Sequence, residues 1–225
     1  MKRELRIRKL DEIQKGKSFG SGIKIPYRGD NRPFETYQIP WDYLIYNKYN
    51  GRVRSLVKTY EKHYHELDPE NSSDVEKIEE YLWKSNKARN DNTEENIVEL
   101  GQRVHGIVTA DGKIIDGNRR AMILKKIYSL RNTKYAGKNV DDCQYFIAAI
   151  LPDDIQDKEI RKLETIYQMG EDAKLDYNAI EKYLMVKELL DDEEFDENDV
   201  TKWMGQGTNV SKIKEWRETM VLMDE

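Results

Sequence analysis

A single glycine most constrains what this chain can fold into. Gly117 stands between Lys113-Ile-Ile-Asp116, an apolar and β-branched stretch, and Asn118-Arg-Arg-Ala121, which opens a helical run reaching Leu130. β-Branched residues favour a strand, and the spacing that follows favours a helix. The glycine therefore marks a strand handing over to a helix. A chain with that junction carries a sheet, while most of its remaining pattern is helical, so the fold class expected is α+β.

The pattern on either side fills in the frame. Residues 1–35 hold Gly16, Gly20, Gly22, Pro26, Gly29 and Pro33 and read as a basic, loop-rich arm with room for a short strand or helix. Residues 37–46 are aromatic and β-branched, interrupted by Pro40, which suits a sheet edge. A turn over 47–51 leads to Val53, Leu56, Val57, Tyr60, Tyr64 and Leu67 at helical spacing. Ser73 and Glu76 have the spacing of a capping box for a second helix. Residues 84–92 are polar and read as a loop, after which Thr93 caps a third helix that Gly106 ends. Short strands at 107–109 and 113–115 flank the Asp111-Gly112 turn, and 143–151 is a buried strand in which Cys143 belongs to the core. Beyond Pro152 the pattern is helical and acidic. The division expected is an arm over 1–35, an α+β domain over 36–152 with a helical insertion at about 55–90, and a helical domain over 153–225.

Charge narrows the function classes. The 225 residues include 38 Lys and Arg against 43 Asp and Glu, a net charge of −5, which argues against a uniformly basic nucleic-acid coat. The charge is uneven: residues 1–60 carry 14 bases against 6 acids, and residues 151–200 carry 17 acids against 6 bases. One cysteine forms no internal disulfide, which points to a reducing setting. No apolar run approaches the length of a membrane span, and the start lacks an apolar signal core, so the expected location is cytoplasmic, with no membrane partner.

The chemistry of the junction points to an anion. A glycine lets backbone approach a ligand closely, and the helix start offers N–H groups and the positive end of a dipole. Arg119 and Arg120 add bidentate donors. A phosphate or triphosphate fits this set. The same residues read equally well, on local grounds, as a capped helix with exposed arginines. His105 reads as a cap or as a nucleotide contact. His63 and His65 point to different helix faces and lack the further ligands that zinc requires.

Near the C-terminus a short helix over 197–204, a Gly205-Gln-Gly207 turn and a final helix capped by Thr208 have the layout of a helix-turn-helix. Val210, Ile213 and Met220 point inward, and Trp203 and Trp216 serve packing. Thr208, Asn209, Lys212, Lys214 and Arg217 are the candidate DNA contacts, while the acidic 191–194 stretch reads as a solvated loop turned away from DNA.

The order of these features resembles the ParB family, within the ParB/sulfiredoxin-like fold. Val104-His-Gly106-Ile107, then Asp111-Gly112-Lys-Ile-Ile, then Gly117-Asn118-Arg119-Arg120 follow the family's order up to its Gly-Glu-Arg-Arg motif. Asn47-Lys-Tyr-Asn50-Gly51-Arg52 stands where the family has an Asn-Pro-x-x-Pro-Arg-like segment, and Leu175-Asp-Tyr-Asn-Ala-Ile-Glu181 resembles its Leu-Asn-Pro-Ile-Glu helix. Asn118 replaces the usual Glu, Gly51 replaces a Pro, and Met122 falls where a further Arg is common. The resemblance covers roughly residues 37–225. It implies CTP or another nucleoside triphosphate held by Asn50, Arg52, His105, Asp116, Gly117, Asn118, Arg119 and Arg120. It also implies magnesium on a carboxylate, for which Glu164 is the candidate with Gln168 nearby. DNA and a second copy in a homodimer are the implied partners, in chromosome or plasmid partition, phage or mobile-element settings. The resemblance leaves CTPase or NTPase activity open. Asp116-Gly117 is also similar to the Asp-Gly-Gln-Gln-Arg motif of restriction and phage-defence proteins, which implies a nuclease or phosphotransferase alternative. A helix-turn-helix regulator with an inactive pocket is a third reading.

Overall fold

The computed structural model describes every residue except 21, 52, 171–178, 192–194, 206 and 225. The first half of the chain runs through α1 (Arg3–Gln14), β1 (Ile23–Tyr27), β2 (Asp30–Phe34), β3 (Thr36–Pro40), α2 (Arg54–His63), α3 (Ser72–Ser85) and α4 (Lys87–Leu100). Then come β4 (Gly106–Val108), β5 (Ile114–Asp116), α5 (Asn118–Ser129), β6 (Tyr145–Ile150), α6 (Asp157–Thr165), α7 (Ala179–Leu190), α8 (Glu197–Met204) and α9 (Val210–Asp224). The protein is α+β, as the strand-to-helix junction requires. No helix among the described residues is long and apolar enough to cross a membrane. The chain divides into two compact units, Met1–Asn47 with Leu67–Ile155, and Lys48–Glu66 with Gln156–Glu225.

The first unit is built on a four-stranded sheet in the order β3-β6-β4-β5. β6 pairs antiparallel with β3 and parallel with β4, and β5 returns antiparallel to β4. β3 lies at the edge and ends at Pro40, a position where a missing N–H costs the ladder nothing. β6 is central, and Phe146, Ala148, Ala149 and Ile150 are buried along it. α5 packs against β6 through a helix face that buries Ala121, Ile123, Leu124 and Ile127. α3 and α4 pack in turn against α5.

The first 35 residues, expected as a loop-rich arm with at most a short strand or helix, carry a helix of 12 residues and a two-stranded hairpin. α1 packs against β3 with Leu10 fully buried, and β1 and β2 form a separate hairpin. The basic residues of α1 have internal partners. The Arg6 guanidinium is buried and donates to Asp111 O at 2.5 Å, to Met1 O at 3.2 Å and to Glu70 at 3.0 Å, while Arg3 meets the Asp111 carboxylate at 2.9 Å.

Three helix boundaries differ from the sequence pattern. α3 is capped by Asn71, whose Oδ1 accepts the Ser73 N–H at 3.0 Å, so Ser73 lies inside the helix and no Ser73–Glu76 box forms the cap. α4 starts at Lys87, within the stretch expected as a loop, because Asn86 accepts the Arg89 N–H at 3.0 Å and caps it. Thr93 is therefore a mid-helix residue. Asn90 is fully buried and donates to the carbonyls of Leu82 and Trp83, closing the end of α3, so its polarity marks a helix terminus and not a loop. α4 ends at Leu100, and Gly101, with φ of 70°, takes the left-handed position expected of Gly106.

The second unit is all-helical among its described residues. Met169, Met185, Val186, Leu189, Phe195, Val200, Trp203, Met204 and Ile213 form its core, with Trp216 packed beside it. Trp203 meets Phe195 edge-on at 5.1 Å, in keeping with a packing role. Asp196 caps α8 by accepting the N–H groups of Asn198 and Asp199. Gly205 and Gly207 both take positive φ in the turn before α9, and α9 packs along α7 and against α8. The final helix is capped by Asn209, which accepts the Lys212 N–H at 2.9 Å, and not by Thr208. α2 belongs to this unit and α3 to the first, so the two helices expected as one insertion divide between them.

Candidate functional site

β5 ends at Asp116, Gly117 takes φ of 105°, and α5 begins at Asn118. The first bond within α5 runs from Ala121 N–H to Gly117 O at 2.8 Å, so the N–H groups of residues 118–120 have no acceptor inside the helix. A Cβ on Gly117 would lie 2.6 Å from Phe146 Cζ and 2.9 Å from Arg120 Nη1. Gly106, the first residue of β4, faces the same ring: a Cβ there would lie 2.2 Å from Phe146 Cζ. One phenyl ring thus requires both glycines. Gly106 is a packing residue in a strand, which is why its role as a helix terminator does not hold.

The two arginines are half-buried, unlike the exposed pair of the simpler reading. Arg120 Nη2 lies 3.8 Å from the Asp116 carboxylate, while its Nη1 is enclosed with no hydrogen-bond partner among the described residues. His105 is half-buried beside this group. Burial, and then the Arg120 charge, hold its imidazole below the usual histidine range. Phe19 meets the His105 ring edge-on at 6.3 Å. Asp116, Gly117, Arg119, Arg120 and His105 are therefore gathered in the first unit around the start of α5.

Asn118 departs from the role its motif position implies. It is buried; its Oδ1 accepts the Asn47 N–H at 2.8 Å and its Nδ2 donates to Ile114 O at 3.3 Å. The side chain is taken up by backbone, so only the Asn118 N–H is available to the helix start.

Two positions escape the sequence pattern. Gln102 mimics a strand residue: its amide donates to Ile147 O at 2.7 Å and accepts the Ile147 N–H at 2.8 Å, and it donates to Val104 O at 3.1 Å. This clamps the loop between α4 and His105 to β6. Phe146 is the other. Neither carries a local signal, because each acts on residues distant in sequence.

The remaining candidates lie in the second unit or outside the described residues. Arg52 lies outside them, as do residues 175–178 of the segment leading to Glu181. Asn50 is buried, and its carbonyl accepts the N–H groups of Val53 and Arg54 at 3.0 Å. The Gly51 N–H donates to Gln168 Oε1 at 2.8 Å, which places Gln168 in a turn-fixing role. Glu164 is buried on α6. Among the described residues there is no group of three or more His, Cys, Asp and Glu able to hold a metal.

Glu181 accepts both the N–H of Ser55, at 3.1 Å, and its hydroxyl on one oxygen. The other oxygen is enclosed without a partner among the described residues, and burial pushes the carboxyl above the usual Glu range. Of the DNA candidates, Lys214 and Asn209 are exposed and Thr208 is half-buried. Lys212 Nζ turns back to Gly207 O at 2.8 Å, and Arg217 pairs with Asp191 at 3.2 Å. That pair sets the first acid of the 191–194 stretch beside α9, where the sequence pattern turned it away.

No protein-family model, curated protein or solved structure matches the chain.

Proposed function

We propose that this chain is a ParB-like nucleotide-binding protein with a helix-turn-helix for DNA, the nucleotide acting as a switch. The observation that carries the reading is Arg120 Nη1, enclosed and without an acceptor among the described residues, at the start of α5. A buried guanidinium nitrogen without a partner is costly, and a phosphate oxygen supplies the missing acceptor in a charge-assisted bond. The dipole of α5 adds to the attraction. Gly117 lets the strand turn into α5 against the Phe146 ring, and His105 adds a donor when protonated. CTP is the nucleotide that the resemblance favours, with magnesium shared between its phosphates and protein. DNA would meet α9 through Thr208, Asn209, Lys212, Lys214 and Arg217, and nucleotide binding would shift the population of DNA-competent or self-associated states.

Thermal-shift measurements with CTP, ATP, GTP and dNTPs, each with magnesium, test the pocket. At least one nucleotide is expected to raise Tm through mass action. Replacing Arg119 and Arg120 by Ala should remove that rise. Unchanged Tm with every nucleotide overturns the reading. For the DNA arm, Lys212→Ala with Lys214→Ala should weaken DNA affinity and flatten its salt dependence; unaltered affinity would remove α9 from the interface.

A further inference from the structure

Two segments of the first unit are fixed to its sheet and meet beside the start of α5. One carries Phe19. Its N–H donates to Thr36 O at 2.6 Å, and the Thr36 hydroxyl donates to Phe19 O at 2.8 Å. Thr36 opens β3 and is fully buried. The other segment carries His105. The Gln102 amide ties it to Ile147 of β6, and Ile107 pairs with Asp116 across β4 and β5. That register sets Gly106 opposite Gly117, and His105 next to the turn into α5. The segments touch where the Phe19 and His105 rings stand edge-on, with centroids 6.3 Å apart. An edge-on contact of this kind favours one setting of the phenyl ring.

The backbone of Phe19 is held, yet its side chain is left open: Phe19 is 39% exposed, and Val104, next to His105, is 61% exposed. A single exposed apolar residue is ordinary. Its place decides here, because this ring adjoins a turn built from Arg120, His105 and the first N–H groups of α5. A ligand that is anionic at one end and flat and apolar at the other matches both halves, whereas an inorganic phosphate matches only the turn. We infer that Phe19 is the stacking platform for the base of the nucleotide, whose phosphates lie at the start of α5. This rests on the nucleotide reading above and extends it to the other end of the ligand. Stacking draws on the π-face that every base has, and a phenyl ring makes no hydrogen bond to a base edge, so Phe19 supplies affinity without choosing among bases. Gln102 adds no choice through its N–H groups, since its Nε2 already donates to Ile147 O and Val104 O.

Binding of CTP, ATP and GTP, and of inorganic tripolyphosphate, each with magnesium, to the full chain tests the platform. Phe19→Ala should weaken every nucleotide that binds by about tenfold, the worth of one base on an aromatic ring, and leave tripolyphosphate unchanged. Phe19→Trp should retain the parent affinity. In NMR spectra the base protons of the bound nucleotide should move upfield with the parent and lose most of that shift with Phe19→Ala. The side chain is open to solvent, so the variant without ligand should melt with the parent. Equal nucleotide affinity in parent and Phe19→Ala overturns the inference and leaves the nucleotide reading standing. Equal weakening of nucleotide and tripolyphosphate overturns it as well, and would give Phe19 the task of holding the turn. If neither nucleotide nor tripolyphosphate binds the parent, the nucleotide reading falls and the platform falls with it.

Discussion

Phe146 governs the spacing of two backbone segments that the sequence presents as unrelated. Its ring lies where Cβ atoms on Gly106 and Gly117 would go, and Gly117 also takes a φ that side chains resist. Gly117→Ala should cost about 2 kcal/mol or more, combining a disfavoured backbone region with overpacking. Urea unfolding measures it, and Phe146→Leu in the same chain should recover part of the loss. Equal unfolding midpoints for parent and Gly117→Ala would contradict the close approach. Gly117 itself was legible because the change from strand to helix pattern is local. The inward turn of Asn118 was not, since its partners are the backbone at Asn47 and Ile114. The same limit hides Gln102, a polar residue in a polar stretch whose partner is the β6 backbone.

At the scale of elements, the strands around the Asp-Gly turn and the pair α8–α9 follow the sequence pattern closely, while the extended segment expected over 37–46 keeps its strand only to Pro40 and turns as a short 3-10 helix over Trp41–Tyr43. Helix starts follow it less well. Several residues near each start have capping chemistry, and the choice between Asn71 and Ser73, or Asn86 and Thr93, depends on tertiary packing. The seam between α2 and α7 is a polar element contact that periodicity does not signal. Glu181 there has a raised pKa, with burial the leading cause. The folded state thus holds that proton more tightly than the unfolded one. The associated stability is present below the ordinary Glu range and is lost as pH rises through it toward the folded value. Glu181→Gln keeps an oxygen for Ser55 and removes the charge. It should therefore melt higher than the parent at pH 7, and the difference should shrink as the pH is lowered into the ordinary Glu range. A lower Tm at pH 7 would mean that attraction to Arg54 outweighs the burial of Glu181.

Across the molecule, the basic excess of the first 60 residues is distributed between two units. Arg3 and Arg6 serve the Asp111 turn, while Arg54 and Lys58 serve α7. The path of the chain is the feature that composition shifts do not reveal. A backbone cut between Ile155 and Gln156 should leave the fragments associated, because residues 48–66 remain on the first fragment while belonging to the second unit. Size-exclusion chromatography of the nicked protein checks this; separation of the fragments under native conditions would show that α2 contributes little to holding them.

The same path has a consequence for synthesis. Ser55 and Glu181 lie 126 positions apart. On the ribosome, α2 emerges after β3 and must wait while β4, β5 and β6 are made and the acidic C-terminal helices follow. Val57, fully buried in the finished protein, lies on α2, which packs against α7, a helix made only later. Closing so long a loop is slow compared with forming the local helices. The first unit is therefore able to fold ahead of the second, and α2 is the last helix of the N-terminal half to find its place.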